Sequence, residues 1–166
     1  KTTTIAEIAH KEGRSGRLAF VTVEHSYHVG AALIVSERQD VVYRDATGTG
    51  PDRTPPAADP APEGAVRREV ATDPVLLFRF SALTFNAHRI HYDAPYAGAV
   101  ERYRGLVVHG PLTASLLLQL AASELGENRL RGFSFRGMSP AVADEPLHLA
   151  MRKGEDGVEL GAFADD

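Results

Sequence analysis

Residues Pro111 to Leu125 constrain this chain more than any other stretch, because they read as a helix without a polar face. Leu112, Leu116, Leu117, Leu118 and Leu120 point in nearly every direction around its axis. A helix that is apolar all round has to be buried. Its ends are marked: Pro111 suits the first helical position and Gly126 the stop. A buried helix needs other elements to cover it, and the flanking sequence offers strand candidates at Arg129–Ser139, Leu147–Lys153 and Val158–Ala164. Upstream, Pro74–Ala82 reads as a further strand, and Thr84–Tyr96 as an irregular loop with a short helical turn. Strand, loop, one buried helix and then consecutive strands predict an α+β unit, with an antiparallel sheet wrapped around the helix.

The chain begins with a second β-rich part. Leu18–Val29 is dense in β-branched and aromatic residues and reads as a strand. After Gly30, Ala31–Tyr43 reads as another, antiparallel to the first across a short turn. Thr3–His10 fits either a short strand or a helical turn. A break follows, since six of the ten prolines lie between Pro51 and Pro74, among Gly, Ala, Asp and Glu. Such a stretch buries too little apolar area to offset its ordering entropy, so an extended or disordered connection is expected. A structureless loop of that length is unusual inside one compact unit. The expected organisation is therefore residues 1–45, a linker over 46–73, and a main unit over 74–166.

Charge and composition narrow the function classes. The formal net charge is -4, which does not favour nucleic-acid binding. With no Cys, disulfides, thiolate nucleophiles and Cys-based zinc sites are excluded; a cytoplasmic location is the expectation. No apolar run has the length of a membrane span, so no membrane partner is expected. No G-x-S-x-G sequence supports a serine nucleophile.

Two segments carry chemistry. In the run Phe78 to Asp93, an apolar stretch ends at Asn86, His88, His91 and Asp93. Close behind come Gly105-Leu106-Val107-Val108-His109-Gly110-Pro111-Leu112, opening into the leucine helix. The first offers proton-transfer groups. The second offers backbone N–H groups at a positive helix end, suited to a developing negative charge. Together they suggest acid–base chemistry on a carbonyl compound. His88, His91, Asp93 and His109 are also conceivable metal ligands, but a lone His-x-x-His is a weak zinc pattern, and no metal is expected.

The run FNAHRIHYD followed by GLVVHGPL resembles the MaoC-like (R)-specific enoyl-thioester hydratases and dehydratases, which adopt the hotdog fold. The nearer likeness is to the double-hotdog branch, the mesaconyl-CoA and itaconyl-CoA hydratases and the 3-hydroxyacyl-thioester dehydratases. The text KEGRSGRLAFVTVEH…QDVVYRD resembles the end of the first hotdog in that branch. The resemblance implies hydration of a 2-enoyl thioester on CoA or acyl carrier protein, without a bound cofactor. It also implies pairing of two hotdogs, within a longer chain or as a homodimer. The chain opens on Lys1, with no signal-peptide pattern, and residues 1–45 match only the terminal strands of a first hotdog. That half is expected to be truncated or degenerate.

Under that resemblance, His91 is the expected proton carrier, since an imidazole titrates near neutrality. The family pattern has Asp five residues before the His; here Asn86 stands there. An amide donates and accepts hydrogen bonds but does not exchange protons usefully, so its expected work is holding water or the thioester carbonyl, with turn capping as the alternative. Gly110 offers an oxyanion N–H, and Pro111 has none to add. His109 is expected to shape the entrance, and His88 to stand beside the site or serve a structural purpose. Asp93 either tunes a histidine or caps a loop. Arg89 reads as solvated, with Asp93 or a substrate phosphate as alternative partners. A hotdog thioesterase and a non-catalytic acyl-thioester-binding or partner subunit are the competing functions.

Overall fold

A computed structural model describes residues 1–13, 16–44 and 63–164. The chain divides into two units, Lys1–Gly50 and Pro51–Asp166.

The first unit is an antiparallel sheet in the order β1-β2-β3, with β1 Thr2–Gly13, β2 Gly16–Val29 and β3 Ala32–Arg44. The ambiguous Thr3–His10 segment is thus a strand. Gly30, at φ 58°, takes the left-handed backbone that the turn from β2 to β3 requires. The register sets Thr22 opposite Asp40, and the buried Thr22 hydroxyl donates to that carboxylate at 2.6 Å.

The second unit departs from the expected layout at its start. Of the expected linker over 46–73, residues 46–62 lie outside the described residues, but Val66–Val70 forms a strand, β4. It pairs antiparallel with β5, Leu147–Lys153, which pairs with β6, Val158–Ala164. Its sequence VRREV alternates poorly, and pairing with β5 rather than its own pattern makes it a strand.

Pro74–Ala82, expected as a strand, is helical: α1 spans Pro74–Thr84. Its start is specified locally. The Asp73 carboxylate accepts from the Leu76 N–H at 2.7 Å, and Pro74 occupies the first turn. The apolar run hid this, since continuous hydrophobicity fits a buried strand or a helix equally well. The helix ends at Phe85, whose left-handed φ of 53° lets the Asn86 N–H return to Ser81 O at 2.9 Å. A short 3-10 turn, Arg89–His91, and α2, Ala94–Ala99, follow.

The leucine helix, α3, spans Gly110–Leu125 with Gly126 as its cap. Leu112 and Leu116 pack with Leu77, Ile90, Ala97 and the 106–108 strip. Leu117, Leu120 and Ala121 pack on Leu147, Leu149 and Met151 of β5 and on Val158, Leu160 and Ala162 of β6. The period of two in β5 and β6 turns those residues to the helix. One helix thus carries two cores, with the sheet on one side and α1 and α2 on the other.

Arg129–Ser139, expected as a strand, is irregular instead, and forms no strand. Its Phe133 and Phe135 rings lie 6.4 Å apart and stay 41% and 44% exposed. Alternation is present, but a strand also needs a neighbour for its N–H and C=O groups, and no described residue pairs with this segment. Among the described residues, no helix is long and apolar enough to cross a membrane.

Candidate active site

Backbone pairing builds the site. Val107 bridges Val142 in antiparallel fashion, with Val108 N–H donating to Ala141 O and Ala143 N–H to Leu106 O, each at 2.8 Å. On its other side, the Val107 N–H donates to Ile90 O at 2.9 Å, and the Val107 carbonyl accepts from His91 Nδ1 at 2.7 Å. Both polar groups of one residue therefore hold the 3-10 turn that carries His91.

A carbonyl can only accept, so Nδ1 of His91 bears the proton. In the neutral ring, Nε2 is then the basic nitrogen. No described residue bonds to it. His91 is 7% exposed, and burial lowers its pKa from 6.5, with the bond to Val107 opposing and the nearby His88 acting in the same direction as burial. At neutral pH it is an uncharged base.

His91 and Gly110 line the same cleft, of about 1060 Å³, together with His88, Thr113 and the 129–139 segment. Gly110 is the first residue of α3, and its N–H has no acceptor among the described residues. A Cβ added there would come to 3.7 Å from Phe135, which is ordinary contact. Gly110 therefore contributes its exposed amide rather than a forbidden shape.

The other sequence candidates are placed differently. Asn86 stands apart from that cleft. Its Oδ1 accepts from the His88 N–H at 3.0 Å, and it lines a separate apolar hollow beside Phe78, Phe85 and Tyr92. Among the described residues, Asp93 has no hydrogen bond or ion pair to a histidine. It caps α2 by accepting from Tyr96 N–H at 3.0 Å and is paired with Arg89 at 2.7 Å, which holds its carboxyl below the usual range, Arg89 first and the amide second. Arg89, expected to be solvated, is thus paired with Asp93, and its guanidinium lies 4.0 Å over the Tyr96 ring. His88 is exposed, its ring 5.6 Å from that of His91. The conceivable ligands are not gathered: among the described residues, no three His, Asp or Glu side chains form a metal-holding group.

His109 does not shape the entrance. It is fully buried behind His91, the two rings stacked at 3.7 Å and 18°. Its Nε2 lies 2.8 Å from Ser81 Oγ, and the Phe80 ring meets it edge-on at 4.9 Å. Burial, then repulsion from a charged His91, lowers its pKa to about 4. Ser81 and Phe80 were missed by sequence reasoning. The signal was the spacing of Leu77 and Ser81, four apart and so on one face, visible only once Pro74–Thr84 is read as helical.

The family model described as hydroxyacyl-thioester dehydratase type 2 matches residues 1–143. Mesaconyl-C(4)-CoA hydratase of Chloroflexus aurantiacus is 48% identical over 162 residues, which cover 98% of this chain and 57% of that protein. The mitochondrial hydroxyacyl-thioester dehydratase type 2 of Schizosaccharomyces pombe is 42% identical over 81 residues, 47% of this chain and 27% of the relative. The chain thus spans little more than half the length of the first relative and about a quarter of the second. Among solved structures, a MaoC-like dehydratase from Phytophthora capsici superposes with a TM-score of 0.63 at 17% identity, over 98% of this chain and 56% of that one. That likeness gives the fold as a hotdog.

Proposed function

The chain belongs to the hydroxyacyl-thioester dehydratase type 2 family, and on that premise we propose that it catalyses reversible addition of water to a 2-enoyl thioester. The product is a 3-hydroxyacyl thioester, and the carrier is CoA or acyl carrier protein. The observation that carries this reading is a neutral His91, its Nδ1–H given to Val107 O, on the wall of a cleft that also holds the free Gly110 N–H.

In hydration, Nε2 of His91 takes a proton from water as the oxygen bonds to C3. The C2–C3 π electrons move onto the thioester carbonyl, giving an enolate. Gly110 N–H and the positive end of α3 are suited to that oxygen; removing such a donor costs about 3–4 kcal/mol where measured. The imidazolium then returns the proton to C2, so the ring ends as it began. Asn86 stands outside this cleft, and its amide does not exchange protons usefully, so both transfers fall to His91. A thioesterase would need a carboxylate or another water-activating group beside the thioester carbonyl; Asp93 is held by Arg89 and by α2, and release of free thiol without a hydroxyacyl product would select that reading. We take the three strands of the first unit as the closing strands of a first hotdog.

The test is a product assay with a panel of enoyl-CoAs, including mesaconyl-C4-CoA, read by mass spectrometry for the gain of one water. His91→Ala is expected to lower turnover on the order of a hundredfold or more, with its circular dichroism unchanged. Near-normal turnover would reject His91 as the base.

A further inference from the structure

His109 is a costly residue for its position if packing were its only purpose. It is fully buried, its Nδ1 has no hydrogen-bond partner among the described residues, and it does not line the cleft. An unsatisfied buried polar atom is destabilising, and an apolar side chain would fill the site without that penalty. What an aliphatic side chain would lack is a flat face held in one orientation. The ring is fixed at its Nε2 by Ser81, on its edge by Phe80, and through its backbone by the Thr113 N–H, which donates to His109 O at 3.0 Å. His91 lies against this plane at 3.7 Å, its own ring tethered through a single hydrogen bond at Nδ1. One hydrogen bond leaves rotation about that bond open; a plane stacked against the ring closes it.

We propose that His109 is a positioning residue for water addition, a buried platform locked by Ser81 that sets the ring plane of His91 and hence the direction of Nε2. It touches neither water nor substrate. This inference rests on the hydratase reading of the site. It also requires a ring that stays uncharged while His91 carries a proton. The burial that lowers its pKa to about 4 meets that requirement.

The experiment compares the full wild-type chain with His109→Leu, His109→Phe and Ser81→Ala in the same enoyl-CoA assay, with unfolding midpoints measured alongside. Misaimed Nε2 in His109→Leu should lower kcat on the order of tenfold to a hundredfold while KM stays within about twofold. His109→Phe keeps a flat ring and should recover kcat to within about fivefold of wild type. Ser81→Ala keeps the stack but releases its anchor, so kcat should fall severalfold, again at unchanged KM. The platform is refuted if Leu and Phe variants lose kcat equally, if kcat merely follows the unfolding midpoint, or if KM moves instead. Should His109→Leu fail to fold, an undiminished kcat in Ser81→Ala refutes it by itself. An active wild type with unaffected variants removes only this proposal. A wild type that adds water to no substrate in the panel removes the hydratase reading as well.

Discussion

Acid should destabilise this protein through one identifiable ring. His109 titrates at about 4 in the folded chain against 6.5 for an unperturbed imidazole, because burial disfavours its charged form and a charged His91 would repel it. Between those values the unfolded chain binds a proton that the folded chain does not, so stability rises with pH there and is lost as pH falls. The gap, at about 1.4 kcal/mol per pH unit, amounts to roughly 3 kcal/mol between neutrality and pH 4. His91, also shifted downward, adds in the same direction. The chain has no Trp, so unfolding in urea is best followed by helical circular dichroism. Measured at about pH 7 and about pH 4, the wild type should lose roughly 3 kcal/mol more than His109→Phe, whose ring cannot titrate. The carboxylates titrating in that range are common to both proteins and cancel in the difference. Parallel stability curves for the two would refute the claim that a buried neutral imidazole stands at position 109.

Three other outcomes follow from the same geometry. The acid limb of kcat/KM should have its midpoint below 6.5, because the folded His91 holds its proton less tightly than a free imidazole; a midpoint at or above that value, in a pH–rate profile, would exclude His91 as the base. Asp73→Ala should cost about 1 kcal/mol by removing the acceptor for the Leu76 N–H at the start of α1, measured by urea unfolding. Gly105→Ala should cost about 1–3 kcal/mol in the same assay, because the new Cβ would sit 2.7 Å from Val142 Cγ1 beside the Val107–Val142 bridge. It should also slow hydration, since Val107 is what holds His91.

Where patterns were local, the sequence was legible. β5 and β6 fall on Leu147–Lys153 and Val158–Ala164 as read, and α3 differs from its expected span only by including Gly110. α1 carries its own start signal, Asp73 and Pro74, but its apolar run fits a strand or a helix equally well. β4 and the 129–139 segment failed for a different reason. A strand exists through its neighbour, so VRREV becomes one beside β5 while the better-patterned RLRGFSFRGMS, without a described partner, does not.

The site divides along the same line. Residue type marked the histidines and Gly110 as candidates, because a proton carrier and a glycine at a helix start are legible in the chain, and the family resemblance pointed to His91 among the histidines. Composition likewise removed every thiol-based chemistry. Only the tertiary structure decided the state and surroundings of those groups. The tautomer of His91 depends on a carbonyl sixteen positions away, its pKa on burial, and the place of His109 on a serine twenty-eight positions earlier. It also sent Asn86 and Asp93 to capping work outside the cleft. Proton affinity and ring orientation are set by distance and dielectric, and neither quantity exists until the chain has folded back on itself.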